Sequence, residues 1–195
     1  MRNFLRIAQG INTTPVLLAL QRKPELWNQK RFRTTFKDTP HGEVDDILLR
    51  FSDDDVAREG DPDAVEKVMV DGNSIWHEAV HQLPEVQPLV LALMVQIRAY
   101  ALDRMLITRL RPGGRILPHA DNQGGYVHDP DRVRHHIVLQ GKPGSLYRTG
   151  DENVTMLTGE AWWFDAHVEH EVVNNSDDDR IHLLVDCRTW PCPKS

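Results

Sequence analysis

The chain has 195 residues, 40% hydrophobic and 27% charged, with a formal net charge of −6 at pH 7. That length suits one domain with a substantial core, and the acidic balance argues against a general nucleic-acid binder, which carries a basic excess. The longest apolar run, 89–97, falls far short of a bilayer, and two cysteines, Cys187 and Cys192, form no disulfide scaffold, so a reduced, cytoplasmic chain without membrane spans is expected.

In chain order, the apolar stretch within residues 1–20 is too short and too polar-flanked for a signal or membrane helix. Thr14 and Pro15 predict the N-cap and first position of a short helix reaching about Arg22. Residues 21–37, QRKPELWNQKRFRTTFK, gather Arg22, Lys23, Lys30, Arg31, Arg33 and Lys37 into an expected solvated basic edge, which leaves an acidic partner open. PHGEVDDILLRF (40–51) predicts a turn and then a strand over 46–51. The acidic SDDDVAREGDPDA (52–64) reads as a loop. LPEVQPLVLALMVQIRAY (83–100) is the strongest helix, with Pro84 and Pro88 near its start.

From Arg104 the texture changes. RMLITRL and RILPHAD flank RPGG, a turn signal between strand-like runs. RHHIVLQ, GSLYRTG, NVTML, AWWFD, EHEVV and RIHLLVDCR follow, each short and rich in β-branched, aliphatic or aromatic residues, with polar turns between them. Such spacing predicts a β-sandwich or barrel. The expected organisation is one domain over 1–195, with 1–103 supplying helical support and a first strand and 104–188 the β-core.

Within RILPHAD, His119 and Asp121 stand at i and i+2, on one face of a strand. Ten histidines and nineteen aspartates in 195 positions supply about one His-x-Asp by chance, so the pair alone carries no weight. His170, on a short strand 51 residues later, gives it meaning. Two histidines and a carboxylate on a β-scaffold make the facial triad of non-haem Fe(II) oxygenases, which leaves coordination positions open. A 2-oxoglutarate co-substrate would fill two of them, and its distal carboxylate needs a cation. Arg180 stands ten residues after His170, across NNSDDD, where a hairpin would set the two strands side by side and offer a bidentate guanidinium. His167, three residues before His170, is the alternative second histidine.

PGGRILPHAD, RHHIVLQGKPGSL and GEAWWFDAHVEHEVVNNSDDDRIHLLVD together resemble the aspartyl/asparaginyl β-hydroxylase branch of the 2-oxoglutarate oxygenases, from about Leu106 to Arg188. The resemblance implies a double-stranded β-helix (jelly-roll, cupin-like) core. It implies iron held by His119, Asp121 and His170, co-substrate bound by Arg180, and further co-substrate contacts from Arg134 and His136. Animal β-hydroxylases of the family lack the carboxylate ligand, so Asp121 places this chain with the members that have a complete triad. The implied activity uses Fe(II), 2-oxoglutarate and O2 to hydroxylate an unactivated C–H bond of an amino acid, free or within a protein, with release of succinate and carbon dioxide. TPHGEVDDILLR (39–50) resembles the family's first barrel strand and suggests that Arg50 faces the site. A cupin metalloenzyme that dispenses with 2-oxoglutarate and a non-catalytic binding barrel are the competing readings.

The remaining candidates have structural readings. His182 shares strand parity with Arg180 and is expected inside the barrel as a polar neighbour, while His135, opposite in parity to His136, faces away. His128 lies in a loop where substrate specificity would reside. His77 and His81 read as a surface pair, and Trp162 and Trp163 as core and barrel wall. The aspartate runs at 53–55 and 177–179 lack calcium-loop spacing.

Overall fold

The computed structural model of the chain describes residues 3–35, 38–52, 74–121 and 132–190. Eleven strands among them form two antiparallel sheets. The large sheet runs β1-β9-β6-β11-β4-β2-β3 and the small one β5-β10-β7-β8. The strands are β1 (Phe4–Ala8), β2 (Val44–Ser52), β3 (Ser74–Trp76), β4 (Ala99–Leu110), β5 (Arg115–His119), β6 (Arg132–Gln140), β7 (Ser145–Thr149), β8 (Glu152–Val154), β9 (Ala161–Phe164), β10 (His170–Asn174) and β11 (Arg180–Thr189). The helices are α1 (Thr14–Arg22), α2 (Phe32–Thr35), α3 (Ala79–Gln82) and α4 (Val86–Gln96). This is the expected double-stranded β-helix, and every strand-like run read from the second half of the sequence forms one. None of the described helices is long and apolar enough to cross a membrane.

Strand alternation sorts the core into two layers. Ile181, Leu183, Val185 and Cys187 of β11 face outward with Ile107, Ile137 and Leu139, and bury against Val16 and Leu20 of α1 and Val86, Val90 and Leu93 of α4. The opposite face closes on the small sheet, where Val44, Leu110, Val138 and Phe164 meet Ile116, Tyr147 and Val172. The helices therefore buttress one face of the large sheet and leave its other face to line the interior.

Several expectations change. The first half contributes three strands to the large sheet, not one, because β1 pairs with β9 and β3 with β2. Thr13, not Thr14, occupies the N-cap position of α1, without a side-chain capping bond, and Pro15 falls within its first turn. Thr13 Oγ1 donates to the Leu139 carbonyl at 2.9 Å, and Asn12 Oδ1 accepts the Thr14 amide at 3.2 Å. The strand expected over 46–51 extends to Val44–Ser52. The helix read into 83–100 stops at Gln96, where Arg98 turns to φ 57° and residues from Ala99 pair with β11. Arg33 leaves the basic edge to make a buried two-pronged ion pair with Asp46, both contacts 2.7 Å. His77 is buried, its amide donating to Leu49, rather than forming a surface pair with His81. Residues 53–55, Lys37, His128 and Cys192 lie outside the described residues, and with Cys192 goes any pairing to buried Cys187.

The largest correction concerns NNSDDD. β10 and β11 are not side by side: β10 lies between β5 and β7 in the small sheet, while β11 lies between β4 and β6 in the large one. The connection is a corner from sheet to sheet, organised by buried Asn174. Its Nδ2 donates to the Leu110 carbonyl at 2.9 Å and the Asp178 carbonyl at 2.8 Å, and its Oδ1 accepts from Ser176 Oγ at 2.6 Å. Gly113, at φ 80°, completes the corner by donating its amide to the Asn174 carbonyl at 2.7 Å.

Candidate functional site

β5 and β10 are antiparallel neighbours with His119 opposite His170, their ring centroids 4.3 Å apart. Each ring is oriented by the carbonyl two residues before it. His119 Nδ1 bonds the Leu117 carbonyl at 2.7 Å and His170 Nδ1 the Val168 carbonyl at 3.0 Å. A carbonyl only accepts, so both Nδ1 atoms carry the proton and both Nε2 atoms present lone pairs. Asp121 follows β5, its amide donating to the Ala166 carbonyl at 3.0 Å. Its Oδ1 stands 3.5 Å from His119 Nε2 and 3.9 Å from His170 Nε2.

The electrostatics keep this trio in its metal-binding form. Burial lowers the pKa of His119, and lowers that of His170 to about 4, so both imidazoles are neutral near pH 7. Burial pushes Asp121 upward, but Arg134 and the two histidines outweigh it and hold the carboxyl below its ordinary value. Three acceptor atoms, all within 4.8 Å of one another, thus converge with no proton between them. Such convergence is unfavourable unless a cation sits among them. Two nitrogens, one oxygen and carbonyl-anchored rings suit a divalent transition metal.

Behind the trio lies a second group. Arg180, the first residue of β11, is 3% exposed, and no carboxylate among the described residues pairs with it. Its guanidinium lies over the Tyr147 ring at 5.2 Å, and its Nη2 donates to His182 Nδ1 at 3.0 Å. His136 Nδ1 also lies 3.0 Å from His182 Nδ1. Burial pulls the Arg180 pKa down to about 10, and burial together with the Arg180 charge holds His136 and His182 well below the usual imidazole range. His136 Nε2, His182 Nε2 and Thr149 Oγ1 are buried without hydrogen-bond partners. A buried cation lacking a counter-ion, with unsatisfied polar atoms on neighbouring residues, is built to receive an anion.

His119, Asp121 and His170 therefore meet, and Arg180 and His136 form the adjoining group. Arg134 is held between Asp121 and Asp186, with its Nε 2.7 Å and its Nη2 2.8 Å from Asp186 oxygens and its Nη1 on Asp121 Oδ2. His182 is the expected polar neighbour and His135 lies on the opposite face. His167 is exposed in the turn before β10 and stands outside the trio. Trp162 is buried in the core, its indole donating to Glu160 at 2.9 Å. Arg50, expected at the site, turns away after a bulge in β2, with its guanidinium 5.0 Å from the Trp76 ring and its Nε donating to the Leu102 carbonyl at 3.3 Å.

Three residues of the site were not singled out from the sequence. Tyr147 stacks on His170 at 6.2 Å and 22°, and so bridges the trio to Arg180. His41 meets His119 edge-on at 4.7 Å with a buried, unpartnered Nδ1. Asp186 anchors Arg134. Tyr147 and Asp186 sit at inward parity on their strands, the one signal by which they were findable.

The family model described as Aspartyl/Asparaginyl beta-hydroxylase matches residues 61–189. L-proline cis-4-hydroxylase of Rhizobium meliloti (strain 1021) is 31% identical over 90 residues, which are 46% of this chain and 31% of that protein, so the match spans about a third of the relative's length. A structure described as an oxidoreductase of the 2OG-Fe(II) oxygenase family, from Burkholderia pseudomallei, aligns with a TM-score of 0.59 at 11% identity over 96% of this chain and 84% of its own. A prolyl-4-hydroxylase from Pseudomonas putida aligns with a TM-score of 0.52 at 17% identity over 96% and 93%. At these identities the structural likenesses bear on the fold alone.

Proposed function

Because the chain belongs to the aspartyl/asparaginyl β-hydroxylase family, we propose that it is an Fe(II)- and 2-oxoglutarate-dependent dioxygenase that hydroxylates an unactivated C–H bond of an amino acid, free or as a residue of a protein. The observation that carries this reading is Arg180, a buried guanidinium that pairs with no carboxylate among the described residues, beside a convergent His-Asp-His trio. A metal-binding barrel without a dicarboxylate ligand has no use for such a group.

His119, Asp121 and His170 would hold the metal, with His119 Nε2, Asp121 Oδ1 and His170 Nε2 as the atoms that converge. Bound iron, with 2-oxoglutarate and O2, supplies the oxidising chemistry, the co-substrate leaving as succinate and carbon dioxide. The carbonyls of Leu117 and Val168 keep the imidazoles aimed. Arg180 would grip the distal carboxylate of the co-substrate, with Thr149 Oγ1 and His182 Nε2 as further donors, because His182 Nδ1 accepts from Arg180 and its protonated nitrogen is therefore Nε2. Arg134 would steady Asp121, and the family resemblance makes it a further candidate contact for the co-substrate. The similarity to L-proline cis-4-hydroxylase puts L-proline and related small amino acids first among substrates to screen. A cytoplasmic setting is part of the proposal, on the ground that two cysteines make no disulfide scaffold and Cys187 is a buried free thiol.

The test needs no substrate. Fe(II) is added to the protein without oxygen, and 2-oxoglutarate is titrated while the visible metal-to-ligand charge-transfer band is followed. A saturable band that is lost in His170→Ala is the expected result. Iron bound without a band would point to a cupin that does not use 2-oxoglutarate, and no bound iron to a non-catalytic barrel.

A further inference from the structure

Asp186 lies six residues after Arg180 at the same inward parity and is 2% exposed. Both of its oxygens are used on arginines. Oδ1 accepts from Arg134 Nε at 2.7 Å, and Oδ2 accepts from Arg134 Nη2 at 2.8 Å and from Arg132 Nη2 at 3.0 Å. Arg132 is tied in turn to Asp103 at 2.9 Å. A guanidinium is a rigid plane, so gripping it along the Nε–Nη2 edge fixes where the remaining Nη1 points. Here it points at Asp121 Oδ2. Asp121 itself follows the end of β5, and its amide bond to Ala166 fixes only its backbone.

We propose that Asp186 is a positioning residue for the metal site: acting through Arg134, it determines that Oδ2 of Asp121 is occupied and that Oδ1 is the oxygen presented to the metal between His119 and His170. This rests on the metal-site reading above. The device also sets charge. Arg134 is shared between two carboxylates, with Asp186 holding its Nε–Nη2 edge and Asp121 meeting only Nη1, which leaves Oδ1 of Asp121 free to serve as an anionic ligand. Without Asp186, both edges of the guanidinium become available to Asp121, and the metal must compete with a two-pronged ion pair.

The test is a set of anaerobic Fe(II) affinities, measured by chelator competition on Asp186→Asn, Arg134→Lys and the double variant. Asn174→Ala, a corner substitution remote from the trio, serves as a control for lost stability. Each single variant is expected to weaken Fe(II) about 10- to 100-fold, the usual cost of losing a group that orients a ligand. The double variant should bind no worse than the weaker single one, because both act on one oxygen. Asn174→Ala should melt lower and bind Fe(II) as the parent does. With Co(II) at saturation, the ligand-field bands of Asp186→Asn should shift and those of Asn174→Ala should not. Parental Fe(II) affinity in Asp186→Asn, or additive losses in the double variant, overturns the proposal. If Asp186→Asn fails to fold, parental affinity and bands in Arg134→Lys overturn it equally. A parent protein that binds no Fe(II) overturns the metal reading along with it.

Discussion

A guanidinium with no counter-ion is retained in a protein interior only against a standing desolvation cost. Among the described residues Arg180 is such a group. Tyr147 offers a ring face, His182 offers only an acceptor, and neither neutralises the charge. Arg180→Ala is therefore expected to separate two properties that usually fall together. Affinity for 2-oxoglutarate should drop about 100-fold or more, roughly a charge-assisted bidentate pair, with Fe(II) affinity unchanged. The ligand-free protein should melt no lower than the parent, since an unpaired buried charge has been removed. Titration of the charge-transfer band and a thermal melt read the two halves. The convergence of His119, Asp121 and His170 was legible from residue type and strand placement taken together, whereas Arg180 was reached through the family resemblance, since the hairpin its spacing suggested is a corner between sheets. Tyr147 and Asp186 were not legible, because alternation says which residues point inward but not which of them meet.

Short strands with polar turns made the element inventory readable, yet sheet membership stayed hidden. NNSDDD has the composition of a hairpin turn, and nothing local distinguishes a hairpin from a corner between sheets. The difference lies in Asn174, whose donors serve carbonyls of β4 and of the turn itself. Asn174→Ala leaves the buried Leu110 carbonyl without this donor, and should cost about 2–3 kcal/mol. Denaturant titration would show this as a lower midpoint at unchanged slope. The mirror case is 83–100, where the apolar run continues past the helix it begins. There Arg98, at positive φ, marks a boundary that periodicity cannot show.

At the scale of the whole molecule, the interior holds neutral imidazoles from both sheets. His41, His119, His135, His136, His170 and His182 all have lowered pKa values with burial as the leading cause, and His135 and His170 fall to about 4. The unfolded chain therefore takes up protons before the folded one. Stability is complete above about pH 6.5, the ordinary imidazole value, and is lost as pH falls from there toward 4. The metal-free protein should melt lower at pH 5 than at pH 7.5, with more than one proton taken up on unfolding. His135→Leu, outside the metal site, should flatten that dependence by about one proton and leave Fe(II) affinity intact.

The corner between β10 and β11 also divides the proposed binding groups between two bodies. His119 and His170 belong to the small sheet, Arg180 and Arg134 to the large one. Iron by itself would be held chiefly by one leaf of the sandwich, whereas a co-substrate bound both there and at Arg180 would tie the two leaves together. Amide hydrogen exchange should register this as synergy. Protection of β7 and β10 should rise modestly with Fe(II) and barely with 2-oxoglutarate, then steeply with both.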